Sequence, residues 1–310
     1  MRAARLHAFG GPITTEEIAE PSADTGELLV DLLYAAVNPL DVWTCNGNFA
    51  AITQLPHTPG AEGLGTIGPV TVLVSGGGIG ISRQGTYAQR ISVPATSVTE
   101  VPDDIDAKQA ATMGVAGVTA WRCVHDKGAV TADDVVLVTG ATGGVGSLVV
   151  QLACAAGAVV LGQTSSDRKT DAIEKLGAKP VLSADGAGLA KALAGRVPTV
   201  VIDGLGGDFI PAIIEALAPN GRLVNYGTSA STAATIDMRV LYRKGITVFG
   251  YTGLLLTDVK PTFDALFAAV RSGALVSTID DVVPLGGAGA AHQRILSKQV
   301  GGKLLLDVNV

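Results

Sequence analysis

The sequence predicts an α/β protein in which a doubly wound parallel sheet is joined to a small β-rich part. Three observations carry that expectation. The 310 residues are 47% hydrophobic and 16% charged, the composition of a chain that buries a substantial core. Short β-rich runs separated by Gly and Pro fill the first third of the sequence. From Asp133 onward the pattern alternates strand, helix, strand, and such alternation produces parallel strands covered by helices on both faces.

Taken in order, residues 27–37, 63–74 and 85–93 read as strands of a mostly antiparallel domain. Asp103 and Asp104 precede a helical pattern that begins near Asp106 and leads out of it. Next come a strand at 135–139, a helix at 145–156, a strand at 158–163 and a helix at 167–176. Gly177 stops that helix, because glycine tolerates the left-handed position after a helix end. Strands at 200–203, 222–226 and 246–249 continue the series, with a helix at 209–217. A helix at 262–271 and β-like runs at 278–283 and 303–308 close the chain, and these last strands are free to return to the first domain. Ser75-Gly76-Gly77-Gly78-Ile79-Gly80 is glycine-rich but has no helix after it, so it reads as a surface loop.

Several function classes are disfavoured. Lys and Arg total 22 against 28 Asp and Glu, a net charge of −6 with no basic run, which argues against a nucleic-acid partner. No charge occurs from Val135 to Ser166, yet six glycines with Thr139, Thr142 and Gln151 interrupt that stretch. It therefore reads as buried strands around a buried helix, with no membrane span. Cys45, Cys123 and Cys154 are too few and too scattered for a disulfide framework or a zinc knuckle. The N-terminus is basic but runs into His7 and Gly10-Gly11-Pro12 without an apolar core, so no signal peptide and a cytoplasmic location are expected.

The strongest local signal runs from Val135 to Gly146: a buried strand, the turn Gly140-Ala141-Thr142-Gly143-Gly144, then a helix opening at Val145. Gly143 lets backbone approach a pyrophosphate, Gly146 lets helix and strand pack closely, and the helix N-terminal amides face the anion. A dinucleotide is the expected ligand. A site for NAD places Asp or Glu at the end of the next strand, about twenty residues on. This chain has Gln163-Thr164-Ser165-Ser166 and then Asp167-Arg168-Lys169. Hydroxyls with two cations suit a 2′-phosphate, so NADPH is the expected form. The bland reading makes Ser166 a helix cap and Arg168 with Lys169 a solvated face.

At this point the residues resemble the medium-chain dehydrogenase/reductase superfamily, specifically its zinc-free, zeta-crystallin-like quinone oxidoreductase branch. The resemblance rests on Gly26-Glu27-Leu28-Leu29-Val30 through Val37-Asn38-Pro39-Leu40-Asp41, and on Pro59-Gly60-Ala61-Glu62-Gly63-Leu64-Gly65. Gly85-Thr86-Tyr87-Ala88-Gln89, Val115-Ala116-Gly117-Val118-Thr119-Ala120-Trp121, the Ala141 to Gly146 loop, Leu217-Ala218-Pro219-Asn220-Gly221-Arg222-Leu223 and Gly301-Gly302-Lys303 follow in family order. It implies a Rossmann doubly wound parallel-sheet domain at 118–253, inserted in a β-rich chaperonin-10-like catalytic domain made of 1–117 and 254–310. The active site is then the cleft between the domains, and the protein a homodimer joined through edge strands near 246–249.

Zinc members of the superfamily carry Cys where this chain has Asn38, His where it has Ala61, and four further Cys for a structural metal. None of these ligands is present, and His7, His57, His125 and His292 show no ligand spacing. No GxSxG elbow suggests a hydrolase. Cys45 lies near the implied pocket but has no neighbouring base in sequence, so it reads as an apolar filler.

The resemblance implies metal-free hydride transfer from NADPH to a quinone or an α,β-unsaturated carbonyl, with the protein aligning the ring and excluding water. By the same resemblance Asn38 and Asp41 line the catalytic cleft, although Asp41 has the alternative of bracing its loop. Trp43 and Phe49 offer flat apolar surface, with core packing as their bland reading. Ser165, Ser166 and Lys169 meet the 2′-phosphate. Ala141, Gly143, Gly144, Val145 and Gly146 cradle the pyrophosphate, and Thr119, Gly227, Thr228, Ser229, Phe249 and Gly250 lie along the nicotinamide half. Lys303 is a further cofactor contact. The chain departs from the family in the compressed segment 68–74, in Phe49 where many members have a proton-donating Tyr, and in Ala184 where bacterial quinone reductases often have a Tyr that grips NADPH. Two other readings stay open: an enone C=C reductase or tailoring enzyme of a polyketide-like pathway, and a non-catalytic NADPH-binding redox sensor or structural protein.

Overall fold

The chain opens with an antiparallel pair, β1 (Arg2–Leu6) and β2 (Ile13–Glu17). The longest strand is β3 (Glu27–Val37), in which Val30 and Leu32 turn into the core while Leu29 and Leu33 stay exposed, the alternation expected of a half-buried strand. Helix α1 (Pro39–Cys45) follows at once, with Pro39 at its first position, where the missing N–H costs nothing. Strands β4 (Glu62–Ile67), β5 (Val70–Ser75), β6 (Arg90–Pro94) and β7 (Val98–Glu100) complete the N-terminal part. Helix α2 (Ala107–Ala110) is capped by Asp106, whose carboxylate accepts from the Gln109 N–H. A helical stretch then runs through wide turns at Met113–Gly117, α3 (Val118–Trp121) and wide turns again at Arg122–Lys127.

The following elements alternate, with β10, α6 and α8 added to those expected: β8 (Val135–Val138), α4 (Gly144–Ala155), β9 (Val159–Thr164), α5 (Thr170–Lys175), β10 (Lys179–Leu182), α6 (Gly186–Leu193), β11 (Val200–Asp203), α7 (Phe209–Ala216), β12 (Arg222–Asn225), α8 (Met238–Lys244) and β13 (Thr247–Gly250). The chain ends with α9 (Lys260–Arg271), β14 (Ile279–Pro284), α10 (Ala288–Leu296) and β15 (Lys303–Asp307). This computed structural model describes every residue except 256–258.

The chain divides into two units. One comprises Met1–Val118 with Gly253–Val310. Its seven-stranded sheet has the order β14-β15-β3-β4-β5-β7, with β6 also on β3, so the closing strands do return to the β-rich part. Its core collects Val30, Leu32, Val72, Tyr87, Ile91, Leu285, Leu304 and Leu306 among others. The other unit, Thr119–Thr252, holds a six-stranded sheet of order β10-β9-β8-β11-β12-β13, and every pairing in it is parallel. Leu137, Leu161, Val201 and Leu223 of its strands pack with Ile210, Ile213 and Ile214 of α7.

Several local expectations change. Residues 63–74 are a hairpin, because Gly68 turns the chain at a φ of +57° that separates β4 from β5. Residues 85–89 precede the strand that was expected to begin there. Residues 167–169 form a tighter turn before α5, since Thr170 bonds back through its hydroxyl to the Asp167 carbonyl. The 75–80 run is only partly a surface loop: Ile79 and Gly80 are buried, and Gly80 lies against the Gly60 carbonyl with a φ of +72°. An added Cβ at Gly80 meets that carbonyl at 2.5 Å, whereas one at Gly76, also at positive φ, meets nothing within 4 Å. In denaturant unfolding, Gly76→Ala is expected to cost about 1 kcal/mol and Gly80→Ala about 3 kcal/mol or more, because only the second adds a backbone clash to the left-handed strain.

Candidate functional site

In the parallel-sheet unit the turn after β8 is shaped by close approach. Gly140 has a φ of +59°, and a Cβ at Gly146 would land on the Gly140 carbonyl. Only glycine at residue 146 lets the first turn of α4 lie this close to the end of the strand. The cap residue Gly143 has extended backbone and no side chain, so the amides that begin α4 are not covered by a capping group. Gly143, Gly144 and Val145 are half-buried while Ala141 and Gly146 are buried. A helix start of this kind, uncapped and accessible, fits a pyrophosphate.

Gln163, in β9, holds the turn. Its side-chain oxygen accepts from the Gly140 N–H at 2.9 Å, its amide donates to the Ser183 carbonyl at 2.5 Å, and its own carbonyl accepts from Ala141 N–H at 3.0 Å. The strand end where an acid would face a ribose thus carries a buried, fully engaged carboxamide. Ser165 is exposed, Ser166 and Lys169 are half-buried, and Arg168 is exposed. Ser166 does not cap the following turn through its side chain, so the cap reading of that residue does not hold. Along the other half of the sheet Thr119 is buried, Gly227, Thr228 and Phe249 are half-buried, and Ser229 and Gly250 are exposed. Ser229 donates its hydroxyl to the Gly204 carbonyl at 2.9 Å.

In the β-rich unit, Asn38 and Asp41 are both buried, at 4% and 0% exposure. Asp41 accepts from the Asn38 N–H at 2.7 Å, the Ala61 N–H at 2.9 Å and the Tyr87 hydroxyl at 3.1 Å. Its contact with Asn38 closes the first turn of α1, an acid at the third helical position reaching back to the cap. Burial outweighs these hydrogen bonds and the charge of Lys303, and pushes the Asp41 carboxyl up to about 7. Tyr87 also meets His292 Nε2 at 3.2 Å. Burial drives the imidazole down to about 4 and the phenol well above its ordinary range, so both are neutral at physiological pH.

A second cluster adjoins the first through Asn38. The Lys303 ammonium donates to Asn38 Oδ1 at 2.6 Å and to Glu62 Oε1 at 2.8 Å. Asn38 Nδ2 donates to Glu62 Oε1 at 3.0 Å and to the Ala36 carbonyl at 3.2 Å, while Glu62 Oε2 accepts from the Val115 N–H at 2.6 Å. Lys303, expected as a cofactor contact, is within this unit the counter-charge of Glu62. Asn38 and Asp41, expected among catalytic groups, have their side-chain polar atoms hydrogen-bonded within this unit. Helix α1 carries half-buried Trp43, and half-buried Phe49 lies in the turns beyond it. Cys45, on the same helix, has its thiol pushed up to about 12 by burial and by Asp41, which suits a filler.

Sequence reasoning missed Glu62, Tyr87 and His292 as a set. Glu62 and Tyr87 lie within quoted motifs, but the partner of each comes from a distant segment. No group of three or more His, Cys, Asp or Glu side chains suited to a metal occurs among the described residues. No described helix is long and apolar enough to cross a membrane.

Residues 144–270 match the family described as Zinc-binding dehydrogenase. Quinone oxidoreductase of Homo sapiens is 26% identical over 324 aligned positions, which cover 99% of this chain and 97% of that protein. 2-Haloacrylate reductase of a Burkholderia species is 27% identical over 328 positions, covering 98% of each. Among solved structures, the quinone oxidoreductase of Thermus thermophilus, determined also as its complex with NADPH, is similar with a TM-score of 0.87 at 26% identity over 99% of this chain and 100% of that one. The metal in the family description finds no matching donors here: Asn38 and Glu62 are engaged with an ammonium, and Ala61 has no ligating atom.

The buried Asp41 gives a pH test. Its folded-state pKa near 7 lies above the ordinary 3.8, so the folded protein holds this proton more tightly than the unfolded chain does. The stability that the group contributes is then complete below about pH 4 and is lost as pH rises toward 7. The unfolding free energy of the wild type minus that of Asp41→Asn is expected to fall by about 4 kcal/mol between about pH 4 and about pH 7 and to level off above. Denaturant titrations of both proteins across that range check it.

Proposed function

The chain belongs to the medium-chain dehydrogenase/reductase superfamily, in its quinone oxidoreductase branch, and from that premise we propose that it is a zinc-independent, NADPH-dependent oxidoreductase acting on quinones. The observation that carries the proposal is the uncapped start of α4 beside the glycine turn, at the carboxyl ends of a parallel sheet. When bound, the nicotinamide supplies hydride, so the protein itself needs neither a metal nor a nucleophile.

The remaining roles fall to this chain's residues. Gly143, Gly144, Val145 and Gly146 offer backbone to the pyrophosphate, with Ala141 packed beneath them. Ser165, Ser166 and Lys169 receive the 2′-phosphate, and the absence of an acid at Gln163 removes the charge that would repel it. Thr119, Gly227, Thr228, Ser229, Phe249 and Gly250 hold the nicotinamide half. Trp43 and Phe49 give an apolar surface for a planar acceptor and help exclude water. Asn38 and Asp41 keep α1, and therefore that surface, in place. Lys303 neutralises Glu62 where zinc relatives of the superfamily use metal ligands.

Reduction of an electron-poor C=C bond is the second reading. It is favoured by the similarity to a protein named for reducing 2-haloacrylate, while Phe49 has no hydroxyl to donate. The proton that follows hydride then comes from water. A homodimer is part of the proposal, because β13 is an edge strand with Val248 47% exposed.

Consumption of NADPH absorbance in the presence of simple quinones is the direct test, with turnover expected at about 1 s⁻¹ or more. Turnover of enones with no quinone activity would replace the first reading with the second. Lys169→Glu is expected to raise KM for NADPH about tenfold or more while leaving KM for NADH within about twofold, since only the phosphorylated coenzyme loses a partner.

A further inference from the structure

The sheet of the parallel unit changes direction between β8 and β11: β9 and β10 extend it one way from β8, and β11, β12 and β13 the other. Strand ends that flank such a reversal enclose the crevice where open parallel sheets bind ligands. Asp203, the last residue of β11, is wholly buried at that position. Its Oδ1 accepts from the Thr139 hydroxyl at 2.6 Å and from the Leu205 N–H at 3.2 Å. Its Oδ2 accepts from the Gly206 N–H at 2.9 Å and the Asn225 side-chain amide at 2.8 Å. Four donors converge on two oxygens, the arrangement of an ionised carboxylate. All four are neutral, so dipoles stabilise the charge without cancelling it.

The same carboxylate anchors the surrounding loops. Thr139 immediately precedes Gly140 and accepts from the Gly204 N–H at 3.1 Å. The Asn225 amide that reaches Asp203 also donates to the Gly227 carbonyl at 2.9 Å. Gly227 and Ser229, assigned above to the nicotinamide half, therefore both hang on this cluster. The charge is felt nearby: with burial and the Cys123 thiol, it helps to raise the Tyr226 phenol above its ordinary range.

We propose that Asp203 is a positioning residue with an electrostatic task, a fixed buried charge at the sheet reversal that favours the cationic, oxidised nicotinamide over the neutral, reduced one. The inference rests on the cofactor reading above. Departure of hydride from the ring, with its electron pair, leaves a pyridinium of unit positive charge; the acceptor takes the pair and then a proton from water. A negative charge already in place favours that redistribution with no reorganisation at the moment of transfer.

Asp203→Asn keeps the size of the side chain and removes its charge. Calorimetric titration is expected to show Kd for NADP⁺ rising about tenfold relative to Kd for NADPH. The 2′-phosphate of ADP-ribose, which lacks the nicotinamide, is expected to bind wild type and variant within about twofold of each other. Equal weakening of all three ligands makes Asp203 a strut alone and overturns the proposal. Absence of binding to the wild type removes the cofactor reading and the inference with it, whereas binding with an unchanged ratio defeats only the inference. If the variant does not fold, the native protein decides. Salt from about 0.05 to about 0.5 M should weaken both coenzymes together and leave the ratio of their Kd values constant, because a buried charge is poorly screened. A ratio that moves with salt places the discriminating charge on the surface and overturns the proposal.

Discussion

A backbone carbonyl occupies the space that a side chain at residue 146 would need, and the parallel-sheet unit depends on that close approach. With glycine there, α4 begins against the end of β8, and its first amides lie beside the turn that Gly140 makes at positive φ. A larger residue would push the helix away from the strand and separate the amides from the crevice at the sheet reversal. Gln163 completes the arrangement from the next strand by fixing the Gly140 N–H and tying β9 to Ser183 beyond β10. Steric permission comes from glycine, and rigidity comes from one buried carboxamide.

The β-rich unit is held by a different means. Glu62 and Lys303 are an ion pair at 0% and 4% side-chain exposure, and the two residues are 241 positions apart in the chain. Burying both charges costs desolvation that the attraction alone seldom recovers, so the pair requires its further hydrogen bonds, to Asn38 Oδ1 from the ammonium and to Glu62 from the Asn38 amide and the Val115 N–H. Its benefit is specificity of registry: β15 brings Lys303 to Glu62 only when it pairs with β3 in the register Leu304 to Val37. The two ends of the chain are thereby joined in one sheet. Long separations of this kind make closure a late and entropically costly event in folding.

These two modes of construction explain what was legible in the sequence. The β8–α4–β9 segment was readable because its hydrophobic periods, glycine spacing and helix stop are all local. The strand at 200–203 was readable for the same reason, being a run of Val and Ile ended by Asp203. Elements whose faces are settled by distant partners were not readable: β1, Arg2-Ala3-Ala4-Arg5-Leu6, and β2, Ile13-Thr14-Thr15-Glu16-Glu17, show no alternation of apolar and polar residues, and α10 buries His292 together with Ala288 and Ala291. The 75–80 run looked like a surface loop because glycine reports conformational freedom and says nothing of the Gly60 carbonyl packed against it. Within the site, residue types in family motifs were found, but their mutual contacts were not. Asn38, Asp41 and Lys303 have the polarity of catalytic groups, and only the distances show that they bind one another. Glu62 and Asp203 carried no local signal, since a buried acid is recognised by its donors, and these come from other strands.

Asp41 and Asp203 show how the same side chain, equally buried, is given different work. Asp41 has three donors and shares Lys303 with Glu62, so two carboxylates compete for one cation inside the β-rich unit. The solvation is insufficient, and its proton is held to about pH 7. Asp203 has four donors from three separate strand ends and no carboxylate neighbour among those contacts. A charge sustained by dipoles retains its field, whereas one sustained by a cation is largely spent on its partner. On the cofactor reading proposed above, in which a ring changes from neutral to cationic, such a field belongs at the crevice of the parallel sheet, whereas Asp41, whose proton is held, serves where a helix has only to be kept still.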